Sequence, residues 1–128
     1  MKLHHIALSV KDLKLSKQFY MELFGLKFVS EFEKPEKNRK FLLLEDETST
    51  LLELSQDDNP EPLTEDISNK KKIGVKHIGF AVEDIEAFLQ KAAKYKIKKL
   101  TPITKGVTVK RYIFITDPDN IPVEIFEI

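Results

Sequence analysis

HHIALSVKDL, residues 4–13, is followed later in the chain by a second version of the same phrase, KHIGFAVEDI, residues 76–85. Aligning His5 with His77 gives an offset of 77 − 5 = 72 residues, and the isoleucine, valine and aspartate that follow each histidine then coincide. An internal repeat over such a distance is typical of two copies of one supersecondary unit. The sequence therefore predicts a chain built from two similar halves.

Each copy of the phrase is followed by the same order of predicted elements. A helical pattern begins after Asp12 and after Asp84, which are suitable N-caps; Gly25 is placed to end the first helix, and the second is expected to end near Tyr95 or Lys96. The apolar stripes are Leu15, Phe19 and Leu23 in the first helix, and Ile85, Phe88, Leu89 and Ala92 in the second. Strand-like segments follow at 26–33, 39–46 and 50–56, and again at 97–103, 109–117 and 121–128.

This order, β-α-β-β-β written twice, predicts an α+β fold. Two tandem βαβββ modules are expected to form a curved mixed sheet with the helices on its outer face. At 128 residues the chain is most simply one domain, with module one at about 1–56, a connector at about 57–73 and module two at about 74–128. The connector is rich in charge and proline, which is typical of an exposed loop.

Composition excludes several classes of function. The 21 basic and 21 acidic side chains cancel, so bulk electrostatic binding to nucleic acid or to a membrane surface is not expected. The absence of cysteine rules out disulfides and thiolate ligands. No apolar run approaches a membrane span and the first ten residues do not resemble a signal peptide, so a cytoplasmic protein is expected.

Strand alternation separates an apolar face from a face that carries chemistry. His5 shares its face with Ala7 and Ser9, and His77 shares its face with Gly79 and Ala81. On the last strand of each module, Glu53 lies on the face opposite to that of Leu52 and Leu54, and Glu124 lies on the face opposite to that of Val123 and Ile125. One face can therefore pack against a helix, while the other offers a histidine and a glutamate among small residues.

The spacing of these four residues is nearly the same in both modules. From His5 to Glu53 is 53 − 5 = 48 residues, and from His77 to Glu124 is 124 − 77 = 47. A single strand histidine or glutamate is more often structural, but matched pairs in matched modules would converge if the modules pack about a pseudo-two-fold axis. Two imidazoles and two carboxylates suit one divalent transition metal: nickel, cobalt, zinc, manganese or iron. His4 lies on the opposite face and is not predicted to be a ligand.

The chain resembles the vicinal oxygen chelate superfamily, also called the glyoxalase/bleomycin resistance/dioxygenase fold. The resemblance spans nearly the whole chain and rests on HIALSVKDLKLSKQFYMELFGL, HIGFAVEDI and DPDNIPVEIFEI. Carried over, it implies the metal ligands His5, Glu53, His77 and Glu124. This four-ligand set is most similar to that of glyoxalase I; fosfomycin-modifying enzymes and extradiol dioxygenases have no glutamate at the position of Glu53.

The resemblance also implies a reaction. A bound metal would polarise two adjacent oxygens of a small-molecule substrate, and a carboxylate would move a proton α to the carbonyl through an enediolate. Glu124 is expected to be the catalytic base, with Glu53 as the second candidate. A homodimer is the usual arrangement in the superfamily, with the site formed within one chain or across two.

Two departures from glutathione-using glyoxalases argue against glutathione as co-substrate. Ser9 stands where those enzymes commonly have an arginine, and the segment SQDD, residues 55–58, lacks their asparagine and adds acids that would repel a carboxylate. Other cations could bind an anionic substrate instead: Arg39, Lys40, Lys110 and Arg111.

Two alternative functions remain open at this point. An epimerase of 2-acyl-CoA thioesters, similar to methylmalonyl-CoA epimerase, would use the same proton abstraction and a phosphate grip from Lys105, Lys110 and Arg111. A non-catalytic drug-binding protein of the bleomycin-resistance type would need only the cavity, and the intact ligand set argues against it.

Overall fold

The computed structural model describes residues 1–67 and 69–128, and its element order confirms the predicted β-α-β-β-β repeat. The first module contains β1 His5–Ser9, α1 Leu13–Phe24, β2 Lys27–Lys34, a short 3-10 helix Pro35–Lys37, β3 Arg39–Glu45 and β4 Leu51–Asp57. The second contains β5 Ile78–Ala81, α2 Ile85–Ala92, β6 Thr104–Lys105, β7 Arg111–Thr116 and β8 Pro122–Glu127. Neither α1 nor α2, in the part of the chain described, has the length and hydrophobicity of a membrane span.

The chain divides into two compact units, Met1–Pro62 and Leu63–Ile128. Each unit holds one four-stranded mixed sheet, with the order β1-β4-β3-β2 in the first and β5-β8-β7-β6 in the second. In each sheet the first strand runs parallel to the last strand of the unit, and the other pairs are antiparallel. The two units therefore share one topology; their assembly into a single domain stays a prediction.

Each helix covers the apolar face of its own sheet. In the first unit α1 contacts β3 and β4, and in the second α2 contacts β8. The side chains with almost no exposed surface in these cores are Phe19, Tyr20, Leu42, Leu44 and Leu54 in the first unit, and Ile85, Ile113, Ile115, Val123 and Ile125 in the second. Burying each such side chain contributes about 1.5–3 kcal/mol relative to exposure. The opposite face of each sheet is left for His5, Glu53, His77 and Glu124.

The predicted apolar stripe of α1 was wrong at Leu15, whose side chain is 40% exposed. The predicted positions Phe19 and Leu23 are buried, and Leu13, Ser16 and Tyr20 are buried beside them. The line Leu13, Ser16, Tyr20, Leu23 advances by three or four residues at a time. Residues spaced strictly by four drift about 40° around a helix at every step, so a stripe of such residues leaves the packed face. Mixed spacing keeps the buried residues in one line.

Two boundaries in the second module differ from the prediction. The strand expected at 97–103 is reduced to an isolated bridge between Lys99 and Ile115, and the strand β6 begins only at Thr104. Pro102 lies in that segment and has no N–H to offer a strand ladder. The helix α2 ends at Ala92, three residues before Tyr95, where the Tyr95 amide bonds the Ala92 carbonyl in a tight turn.

The helix caps are as predicted. An Asp12 side-chain oxygen accepts from the Leu15 amide at 3.1 Å, and an Asp84 side-chain oxygen accepts from the Ala87 amide at 2.8 Å. Gly25 ends α1 with φ 68°, a left-handed conformation that costs glycine little.

The repeat extends to the turn before each last strand. Asp46 Oδ1 accepts from the Thr48 and Thr50 amides, both at 2.9 Å. Asp117 Oδ1 accepts from the Asp119 amide at 2.8 Å and from the Ile121 amide at 2.9 Å. Both turns contain a left-handed residue at the same place, Ser49 with φ 64° and Asn120 with φ 65°. The strands β4 and β8, which carry Glu53 and Glu124, are thus each preceded by a turn of the same kind.

Candidate metal centre

In the second unit, two of the predicted ligands lie against each other. His77 precedes β5 directly, and Glu124 lies on the neighbouring strand β8, opposite Gly79 in the register. His77 Nε2 is 3.1 Å from Glu124 Oε2, and the side chains are 28% and 23% exposed. An imidazole nitrogen and a carboxylate oxygen are therefore held together on the open face of the sheet, within reach of solvent.

Neighbouring side chains hold this pair in place. The Phe114 ring packs edge-to-face with the His77 ring, with centroids 4.8 Å apart, and Phe114 pairs with Glu124 across β7 and β8. Gly79 lies close to the carboxylate: a Cβ at that position would be in ordinary van der Waals contact with Glu124 Oε2 at 3.5 Å and with Phe126 Cε1 at 3.4 Å. The packing thus orients the histidine beside the glutamate.

In the first unit, His5 and Glu53 occupy the equivalent register. Glu53 lies opposite Ala7, as Glu124 lies opposite Gly79, and each histidine stands two residues before that partner. His5 is exposed, and its Nδ1 is 2.9 Å from Nδ1 of the neighbouring His4. Within the described residues the half-buried Glu53 carboxylate accepts no hydrogen bond, and the Arg39 guanidinium interacts with it electrostatically. Its oxygens are available to a ligand.

The donor set fits a divalent transition metal. Each unit contributes one imidazole and one carboxylate from the same register positions, which amounts to two nitrogen and two oxygen donors. Such a mixed set suits nickel, cobalt, zinc, manganese or iron better than calcium or magnesium, which prefer oxygen alone. Assembly of His5, Glu53, His77 and Glu124 into one centre stays a prediction.

Comparison with known proteins settles the family. A family model described as the Glyoxalase/Bleomycin resistance protein/Dioxygenase superfamily matches residues 2–125. The chain belongs to this superfamily. The resemblance inferred from the repeated phrase and the closing turn is thereby confirmed.

Relatives within the glyoxalase superfamily span both uncharacterised proteins and enzymes. The chain is 31% identical over 126 residues to the uncharacterised protein YwkD of Bacillus subtilis, covering 98% of this chain and 95% of that one. It is 32% identical over 145 residues to a lactoylglutathione lyase of Schizosaccharomyces pombe, covering 97% of this chain but 46% of that enzyme. The trypanothione-dependent glyoxalase I of Leishmania major superposes with a TM-score of 0.77 at 25% identity, covering 99% of this chain and 86% of that one.

A further carboxylate cluster in this glyoxalase-family chain was not predicted. Carboxylate oxygens of Asp84, Glu86 and Glu127 lie within 4.8 Å of one another near the start of α2. Arg111 pairs with two of the three carboxylates: its Nη1 and Nη2 donate to Glu86 at 2.8 and 2.9 Å, and its Nε donates to Glu127 at 2.9 Å. The cluster is therefore a structural ion-pair network. Arg111 stands beside Glu127 in the antiparallel register of β7 and β8, so the pairing could be inferred only after these two strands had been aligned.

This network ties the start of α2 to the strand that carries Glu124. Glu127 Oε1 accepts from the Ile85 amide at 3.0 Å, and in the first unit Gln56 Oε1 accepts from the Leu13 amide at 2.7 Å. Glu127 and Gln56 each stand three residues after the predicted ligand glutamate of their module. In both units the strand that carries the predicted ligand glutamate thus also supplies a hydrogen-bond acceptor to a backbone N–H in the first turn of the helix.

Glu127 makes the stability of the fold sensitive to acid. Hydrogen bonds from Arg111, and then from the Ile85 amide, lower the pKa of Glu127 from 4.5 to about 2. Because the folded pKa is depressed, the ionised group stabilises the fold above about pH 4.5, and that stability is lost as the pH falls through about 2. We expect Glu127→Gln to lower the Tm at neutral pH and to flatten the decline of the Tm between about pH 5 and pH 2.

Thermal unfolding followed by circular dichroism across this pH range measures both effects. Glu83→Gln is the matched control, because Glu83 is an exposed carboxylate of the same unit that lies outside this cluster. Parallel Tm curves for wild type and Glu127→Gln would contradict the assigned role.

The cations proposed from the sequence to grip an anionic substrate are already paired. Arg39 Nε donates to Asp57 at 2.9 Å, and Lys40 lies 4.0 Å from Glu33. Lys110 lies 3.8 Å from Glu127, which Arg111 also binds. These four side chains therefore serve intramolecular ion pairs. Pairing with Arg39 also compensates the charge of Asp57, which had been expected to repel a substrate carboxylate.

Proposed function

We propose that the protein is a metal-dependent lyase or isomerase of the glyoxalase type, which moves a proton α to a carbonyl in a small α-oxo or thiohemiacetal substrate. The observation that carries the proposal is the 3.1 Å approach of His77 Nε2 to Glu124 Oε2 on an open sheet face. The same register recurs for His5 and Glu53 in the first unit. Family membership and the lactoylglutathione lyase relative support the reaction class.

His5, Glu53, His77 and Glu124 would hold one divalent ion of nickel, cobalt, zinc, manganese or iron. When bound, such an ion acts as a Lewis acid toward adjacent substrate oxygens and stabilises negative charge on them. The edge-to-face contact of Phe114 with His77 keeps the imidazole in a fixed orientation, as a ligand requires. The small residues Ala7 and Gly79, opposite the two glutamates, leave space for substrate above the strands.

Glu124 is the proposed base. Its carboxylate would take the proton from the carbon α to the carbonyl and return it to the neighbouring carbon, so the same group acts as base and then as acid. The Glu124 side chain is 23% exposed, which leaves the carboxylate accessible to a substrate on the open face of the sheet. Glu53, which has no hydrogen-bond partner among the described residues, is the second candidate for this role.

The rival function as a 2-acyl-CoA epimerase has less support. It calls on Lys105, Lys110 and Arg111 to bind the phosphates of CoA, but Arg111 is committed to Glu86 and Glu127 and Lys110 lies beside Glu127. Using these side chains for a phosphate would break an ion-pair network that caps α2. A small substrate without a nucleotide is the better match.

A homodimer is part of the proposal. In the first unit the edge strand β2 exposes Phe28, Val29 and Phe32, each with 43–44% of its surface accessible. A second copy would cover these side chains and the unpaired edge of the sheet.

The test is metal loading followed by a proton-transfer assay on the full chain without a tag. After chelation and reconstitution with each of the five ions, mass spectrometry is expected to find about one ion per chain. The loaded protein is then incubated in D₂O with phenylglyoxal and a small thiol, and NMR is expected to show isomerisation with deuterium incorporation. If none of the five ions binds, the metal centre is refuted. If an ion binds but no proton transfer follows, the proposed reaction is refuted.

A further inference from the structure

A groove of 580 Å³ lies beside His77 and is formed entirely by residues of the second unit. Its size is within the range of about 300–1,000 Å³ typical of small-molecule sites. His77 and Phe114 line the groove and also contact each other, and His77 contacts Glu124. The groove is therefore adjacent to the two predicted metal ligands of this unit, His77 and Glu124.

The groove combines an apolar lining with unpaired ammonium groups. Its apolar lining residues are Leu63, Ile67, Leu100, Phe114 and Pro122, and its cationic side chains are Lys70, Lys76 and Lys98. Among the described residues none of these three lysines joins an ion pair. They differ in this from Arg39, Lys40, Lys110 and Arg111, each of which faces a carboxylate.

The charge of the lining suits a single negative charge. Three lysines and the acids Glu65 and Asp66 line the groove, which leaves 3 − 2 = +1. The charge of −1 on a monoanion equals the +1 of the lining in magnitude, whereas the −2 of a phosphate dianion exceeds it.

Two threonines complete the wall next to the lysines. Thr116 Oγ1 accepts from the Lys98 amide at 3.1 Å and so fixes the backbone from which that lysine extends. Thr101 Oγ1 accepts from the Phe114 amide at 3.0 Å. Because each hydroxyl accepts with its oxygen, each retains a proton that it can donate to a ligand.

We propose that this groove binds the non-reacting end of the substrate, and that this end is a short apolar chain carrying one carboxylate. The chain would lie on Leu100, Phe114 and Pro122, and the carboxylate would be met by Lys76 and Lys98. The assignment of this end as non-reacting rests on the proposed function, which places the reacting carbonyl at His77 and Glu124. The substrate class is then an α-oxo compound with a separate, singly charged carboxylate.

The test titrates the full chain, freed of metal by chelation, with hexanoate, 1-hexanol and inorganic phosphate while ¹⁵N NMR follows the amides of Lys98, Thr101, Phe114 and Thr116. Hexanoate is expected to shift these amides and to bind about tenfold more tightly than the neutral alcohol, since a hydrogen bond between an ammonium group and a carboxylate is stronger than one to a neutral hydroxyl. The double variant Lys76→Met/Lys98→Met is expected to weaken hexanoate about tenfold. Lys105→Met, which alters a lysine of the same unit outside the groove, is the matched control and is expected to change nothing.

Equal binding of hexanoate and hexanol, shifts confined to other amides, or full affinity in the double variant would each overturn the proposal. Tighter binding of phosphate than of hexanoate would overturn the monoanion assignment. Because the titration is done without metal, its outcome is independent of the metal-loading experiment. A failed groove and a failed metal centre are therefore distinguishable.

Discussion

Replacing Glu124 with glutamine is expected to lower the rate of proton transfer by about 10²–10⁴-fold while the protein keeps its fold. Glutamine matches glutamate in shape but cannot accept a proton at physiological pH. The fold is expected to persist because Glu124 is 23% exposed on the open face of β8, away from the buried residues Val123 and Ile125. The amide can still accept or donate a hydrogen bond opposite His77, so the local packing has no reason to change.

The measurement compares deuterium incorporation by wild type, Glu124→Gln and Glu53→Gln, each loaded with the same metal and normalised to metal content. Glu83→Gln is the matched control: it removes an exposed carboxylate from the segment between β5 and α2, outside the candidate centre. Wild-type turnover in Glu124→Gln would remove the proposed role from that residue. If Glu53→Gln alone were inactive, the base would be the glutamate of the first unit.

Much of the fold was predictable because the chain contains the same information twice. A single β-α-β-β-β pattern is ambiguous, but the match of His5 with His77 and of Asp12 with Asp84 aligns two patterns that support each other. The structure extends that agreement to features that no simple pattern reveals, such as the shared turns at Asp46 and Asp117. Local chemistry determines these features, so similar local sequences produce them in both units.

The errors occurred where tertiary contacts override local pattern. Leu15 fits an apolar stripe by spacing, yet Leu13 and Ser16 lie on the buried line because the sheet determines which side of α1 is covered. Likewise, Arg111 and Glu127 are 127 − 111 = 16 residues apart in the sequence, but they are direct neighbours in the register of β7 and β8. Pairing of long charged side chains depends on strand register and is not visible from composition.

Candidate site residues were predictable as faces of strands, but not as contacts. Alternation alone put His77 and Glu124 on the face away from the core, and the register then brought their atoms to 3.1 Å. The groove at Lys76 and Lys98 was invisible in the sequence, because surface lysines are abundant and only the structure distinguishes those already paired. Among residues 1–67 and 69–128, Lys98 has no carboxylate partner, and this property depends on the three-dimensional arrangement.

Replacing His5 with alanine is expected to weaken metal binding by more than about 100-fold, because it removes a direct ligand. Replacing His4, whose Nδ1 lies 2.9 Å from His5 Nδ1, is expected to cost less, at most about the 10–100-fold that is typical for the loss of an outer partner. The two residues are adjacent, both are exposed, and their rings contact at 5.1 Å, so they share one environment. They lie on different faces of the strand. His5 occupies the same position as His77: each stands two residues before the residue that pairs with a glutamate, Ala7 with Glu53 and Gly79 with Glu124. His4 precedes β1 and has no such counterpart, because Lys76 stands at its position in the second module.

Isothermal titration of the chelated variants with nickel or zinc provides the affinities, with His77→Ala as the positive reference. Because His77 already contacts Glu124, its loss tests the second unit alone, and the loss of His5 tests whether the first unit contributes to the same ion. A large effect of His77→Ala with none of His5→Ala would mean that metal is held by one module, and the four-ligand centre would be wrong. Equal losses in His4→Ala and His5→Ala would point to the exposed histidine pair itself as an adventitious chelator. Only a large loss shared by His5→Ala and His77→Ala, and clearly smaller in His4→Ala, agrees with a centre to which the two halves of the repeat contribute equally.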